Sequence, residues 1–104
     1  MIKTGCVYRS LDNINEYIFV ESFQNAYFNL RIIYVDDFDY SEDIESMVYS
    51  ELCEIIDPSS PLTPLFSKKF GLVGLWDGAN RDSLVVLQNT KESIHYLLQR
   101  SIND

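Results

Sequence analysis

The sequence predicts an α+β fold: an antiparallel sheet of about four to five strands, with two main helices, 41–57 and 90–102, packed on one face. Three observations lead there. Runs rich in β-branched and aromatic residues follow one another through short polar turns, which favours antiparallel neighbours. Two other stretches repeat apolar residues at helical spacing. The helices follow runs of strands instead of alternating with each strand in turn. At 104 residues, 46% of them apolar and 13% aromatic, the chain reads as a single domain, 1–104, with an ordinary core.

The first element is the most ambiguous. "NEYIFVESF" (Asn15–Phe23) reads as a strand that can pair with the next run across Gln24–Asn25. Leu11, Ile14, Tyr17, Ile18 and Phe23 also approximate helical spacing, so both readings of residues 10–23 stand, with strand preferred. "YFNLRIIYV" (Tyr27–Val35) is a clear strand, with Phe28, Leu30, Ile32 and Tyr34 on one face and Asn29, Arg31, Ile33 and Val35 on the other. The predicted helix 41–57 has Ser41 as a cap and Glu42, Asp43 and Glu45 in its first turn. Ile44, Met47, Val48, Leu52, Ile55 and Ile56 form its apolar face, and Pro58 ends it. "DPSSPLTP" (Asp57–Pro64), with three prolines, reads as a loop. "FGLVGLWD" and "SLVVLQ" form a hairpin around "GANRD". In the helix that closes the chain, Asn89 or Thr90 is the cap, and Ile94, Leu97, Leu98 and Ile102 make the buried stripe.

Charge is the most informative feature. The net charge is −8, which repels nucleic acid and anionic lipid and draws in cationic partners. Nine of the sixteen acids fall in Asp36–Asp57, a stretch with no Lys or Arg. Tyr34, Phe38, Tyr40 and Tyr49 are interleaved with them. On the predicted helix, Asp43, Ser46, Ser50, Glu54 and Asp57 lie opposite the apolar face, so the exposed side is acidic. Crowded like charges repel, and an external cationic surface would relieve them.

Catalytic constellations are poorly supported. Asp37, Asp39 and Ser41 alternate like the start of a calcium loop, but that loop needs Gly at position six and Glu at twelve; Glu42 and Val48 stand there. No metal and no cofactor is therefore expected. His95 is the single histidine, and Cys6 and Cys53 lack metal-ligand spacing. The glycines do not follow the phosphate-loop order. Two thiols outside a disulfide framework fit a reducing compartment. No stretch approaches the length of a membrane span, and "MIKTGCVYRS" lacks the apolar run of a signal peptide, so a cytoplasmic location is expected.

The C-terminal third, "FGLVGLWDGANRDSLVVLQNTKESIHYLLQRS", resembles small acidic bacterial immunity proteins of contact-dependent growth-inhibition systems. The matching positions are Gly71, Gly74, Trp76, Asp77, Val85, Glu92, Tyr96 and Leu97. The resemblance implies a cytoplasmic, non-enzymatic antidote that binds a toxin domain and blocks it; many such toxins are nucleases. It carries over no binding residues. Charge alone selects Asp36, Asp37, Asp39, Tyr40, Asp43, Glu54 and Asp57 for the partner-binding surface, with Tyr40 as buried anchor. The expected partner is a basic protein; direct nucleic-acid and membrane binding are not expected. The alternatives are a phage-encoded acidic mimic of nucleic acid, a small metal-dependent enzyme using Asp37 and Asp39, and a self-associating structural protein.

Overall fold

The computed structural model describes residues 2–36, 39–79, 84–88 and 91–103, apart from the side chains at 39, 98 and 100–103. The chain forms β1 (Val7–Ser10), β2 (Glu16–Gln24), β3 (Tyr27–Asp36), β4 (Asp39–Met47), α1 (Tyr49–Ile55), β5 (Ile56–Ser67), β6 (Gly71–Trp76), β7 (Val85–Val86) and α2 (Lys91–Asn103). The seven strands make one antiparallel sheet in the order β4-β3-β2-β1-β5-β6-β7.

This overturns the expected four to five strands with two main helices: the chain is mostly sheet, curled into a half-barrel, with two short helices. The curl shows in the packing. Val7, Phe19, Ile33, Leu62, Leu72, Leu75 and Leu87 form one buried cluster that brings β3 against β6 without any helix between them. That cluster is the inner face. The outer face carries the helices. Leu52 of α1 packs with Tyr8, Ile18, Val20, Leu30, Ile32 and Ile56. Leu97 of α2 packs with Leu65 and Val73.

The expected helix 41–57 is the main correction. Residues 39–47 are strand β4, only Tyr49–Ile55 is helical, and Ile56 and Asp57 open β5. The apolar spacing that implied a long helix is met differently. Leu52 and Ile56 are buried beneath α1, whereas Ile44 is 87% exposed on β4. The strand forms because β3 offers an edge backed by buried Leu30, Ile32 and Ile33, and nine consecutive residue pairs align with it. The nine-pair ladder and the contacts it brings outweigh the segment's weak helical preference. An end strand, open on both faces, needs no apolar stripe of its own.

The three-proline stretch is also strand, not loop: Pro58, Pro61 and Pro64 lie within β5. Between Arg9↔Asp57 and Val7↔Leu62 the register with β1 breaks, and Pro58 and Pro61 fall in that break. There the ladder asks for no amide donor, and proline's fixed φ suits extended backbone. After the break β5 turns to pair with β6, from Thr63↔Trp76 to Ser67↔Gly71.

Residues 16–24 are a strand, paired with β3 around a two-residue turn at Asn25 and Ala26. β6 and β7 pair antiparallel. The intervening turn residues Asn80, Arg81 and Asp82, and the cap positions Asn89 and Thr90, lie outside the described residues. In α2, Ser93 and Leu97 are buried and Ile94 is half-buried.

Candidate functional site: an acidic sheet edge

β4 lies at the end of the sheet and pairs only with β3. Its residues 41–46 are all exposed. Strand alternation divides its side chains between two faces. Tyr40, Glu42, Ile44 and Ser46, opposite Val35, Ile33, Arg31 and Asn29, share the inner face. Ser41, Asp43, Glu45 and Met47, opposite Tyr34, Ile32, Leu30 and Phe28, share the outer face.

The acids of the inner face are partly neutralised. The Arg31 guanidinium lies 2.8 Å from Glu21 and 3.6 Å from Glu42, and also sits 5.6 Å above the Phe19 ring. Burial works against its charge, but the two carboxylates raise the Arg31 pKa above its ordinary value. Beyond it, Ser46 donates to Asn29 and Asn29 to Ser22, a polar ladder across three strands.

The acids of the outer face are not. Glu16 of β2 stands opposite Tyr34 in the register, Asp43 of β4 is its diagonal neighbour, and Glu45 lies one same-face position further along. Burial and then these three carboxylates raise the Tyr34 pKa. Asp36 joins Tyr34, Tyr40 and Ser41 around an open hollow of about 370 Å³. Among the described residues, no Lys or Arg makes an ion pair with Glu16, Asp36, Asp43 or Glu45.

The structure separates the residues selected from sequence. Asp36 ends β3 opposite Asp39, and Asp43 stands four positions further along β4, opposite Ile32. Asp37, and the side chain of Asp39, lie outside the described residues. Glu54 is on α1, and Asp57 begins β5. No continuous helix unites Asp43, Glu54 and Asp57. The carboxylate of Asp57 accepts hydrogen bonds from the hydroxyl and backbone N–H of Ser59, and Arg9 lies nearby; together these hold its pKa below the usual carboxylate range. Tyr40 points inward, and its hydroxyl donates to the Leu72 carbonyl at 3.2 Å. It braces β4 against β6 from inside the curl.

The residues selected from sequence leave out Glu16, and leave out Tyr34 and Glu45 although these belong to its acidic and aromatic stretch. Reading 39–47 as a strand places Glu45 beside Asp43, and counting back from a turn at residues 25 and 26 brings Glu16 opposite Tyr34. Among the described residues, no three His, Cys, Asp or Glu form a group that could hold a metal ion. Cys53 is exposed and Cys6 half-buried, while His95 is exposed on α2. No described helix is long and apolar enough to cross a membrane. Comparison with family models, curated proteins and solved structures found no match to the chain.

Proposed function

We propose that this chain is a cytoplasmic, non-enzymatic inhibitor that binds a basic protein, a bacterial nuclease toxin domain, through the acidic edge formed by β3 and β4. The observation that carries this reading is the group of exposed Asp36, Asp43 and Glu45 with half-buried Glu16 about Tyr34, without basic partners among the described residues. Carboxylates at alternate positions of a strand stand about 6.8 Å apart. That step is of the same order as the phosphate-to-phosphate step of an extended nucleic-acid strand. A nuclease presents Lys and Arg to phosphates, so such a row can occupy the same cationic groove. Tyr34, at the centre of the acids and 36% exposed, replaces Tyr40 as the aromatic contact. Complementary charge of this kind acts first on the association rate.

The test begins with tagged protein in a lysate of its own host. The expected captured partner is basic, and its nuclease activity falls to background at one-to-one stoichiometry. Stopped-flow association with Asp43→Lys/Glu45→Lys should be at least tenfold slower, with a flatter salt dependence and unchanged circular dichroism. An acidic partner, or association indifferent to this pair but lost on substitution of Asn80, Arg81 and Asp82, overturns the reading.

A further inference from the structure

We infer that the free edge of β4 accepts an extended segment of the partner as an eighth strand, one whose side chains alternate between basic and apolar. This rests on the inhibitor reading for the partner's positive charge, and on the strand itself for the mode of contact.

An end strand turns the N–H and C=O of every second residue away from the sheet, where another chain can pair with them. Proteins usually block such edges with proline, lysine, a bulge or a covering loop. Among the described residues β4 has none of these. It contains no proline or lysine. Its nine register pairs with β3 run without a break, whereas the β1–β5, β2–β3 and β5–β6 pairs all carry irregularities. Residues 41–46 are exposed on both faces.

The remaining guard is electrostatic, and it discriminates by sign. Two copies joined antiparallel through β4 and centred on Asp43 would set that carboxylate opposite its own counterpart. Glu45 would face Ser41. Like charges directly opposite destabilise a pairing, and each chain carries −8. A second copy is therefore disfavoured, while a strand bearing Lys or Arg is drawn in.

The side-chain pattern also specifies the guest. On the outer face its residues would lie beside Ser41, Asp43 and Glu45, which select for Lys and Arg. On the inner face they would meet Ile44, a large aliphatic side chain 87% exposed, while the neighbouring Glu42 already faces Arg31. That face selects an apolar residue. Backbone pairing supplies affinity and the alternate side chains supply specificity.

The probe is a capped eight-residue peptide of alternating Lys and Val, titrated into the full chain. Two further versions are N-methylated on one or the other alternating set of backbone amides. A third replaces Lys by Glu. Amide hydrogen exchange should show protection concentrated on residues 39–47. One N-methylated version, and the Glu version, should bind at least tenfold more weakly. Ile44→Lys should also weaken binding at least tenfold without altering circular dichroism, since that side chain packs against little.

Equal binding by both N-methylated versions would reduce the effect to charge adhesion and overturn the inference. So would protection elsewhere, or light scattering that shows the chain pairing with itself through β4. The two proposals fail separately. If the peptide joins β4 but no basic nuclease is inhibited, the inhibitor reading falls. If inhibition persists while Ile44→Lys and N-methylation have no effect, the added strand falls.

Discussion

Asn25 and Ala26 both lie in the left-handed region, with φ of 53° and 69°, and together make the two-residue turn between β2 and β3. Such a turn matches the twist of its strands but strains any residue with a Cβ. Asn tolerates it; Ala does not. Ala26→Gly is expected to raise stability by about 0.5–1 kcal/mol, the relief of strain exceeding the added entropy of the unfolded chain. Urea denaturation would measure it as a higher midpoint at unchanged slope. Tyr40 sets a different limit. Burial first, and then Glu42, raise its pKa, and the pKa values of Tyr8 and Tyr34 are also raised, in each case mainly by burial. Below the unfolded tyrosine value near 10, both states keep their protons and the contribution is intact. Above it the unfolded chain loses protons that the folded chain retains, so stability falls as pH rises through the folded values. Alkaline unfolding followed by tyrosinate absorbance should therefore begin near pH 10. Tyr40→Phe should remove one of these titrating groups from the profile. It should also lower stability at pH 7 by about 0.5–1.5 kcal/mol through loss of the bond to Leu72.

At the scale of elements, α2 can approach the sheet because β6 carries Gly74. A Cβ there would stand 2.8 Å from Leu97 Cδ2 and 3.1 Å from the Val85 carbonyl oxygen. The leucine can shift, but the strand backbone cannot easily do so. Gly74→Ala is expected to cost about 1–3 kcal/mol, read from thermal or urea unfolding. The same scale shows what the sequence made legible. The β2–β3 hairpin could be read because its apolar residues keep strand spacing and Phe23 meets Phe28 across it, with ring centroids 4.5 Å apart. β4 could not. Its Ser41 cap, early acids and spaced Ile44, Met47 and Leu52 meet the local criteria for a helix. The ladder on β3 that overrides them is a non-local fact. β5 was hidden by its prolines, which read as a break unless the register gap that accommodates them is known. The acidic character of the site was plain in the composition. The joining of Glu16, Tyr34, Asp43 and Glu45 required the register, because it draws on three strands.

For the whole molecule, a net charge of −8 opposes compaction. The Arg31 pairs with Glu21 and Glu42 are partly exposed and offset little of it. Sodium chloride raised from about 0.1 M to about 1 M shortens the screening length from about 10 Å to about 3 Å. The melting temperature should therefore climb with salt, and a scan by differential scanning fluorimetry would show it. The path of the chain has a further outcome. β1 to β4 form one meander and β5 to β7 another, each built from neighbours in sequence. Among the described residues one strand ladder joins them, where Val7 meets Leu62, Arg9 meets Asp57 and Ser10 meets Ile56, and the inner core closes over it. Hairpins close within microseconds, whereas contacts between distant residues wait on the entropy of the intervening chain. Docking along this ladder is therefore the expected slow step of folding, and a backbone nicked within α1 should reassemble by docking β5 against β1.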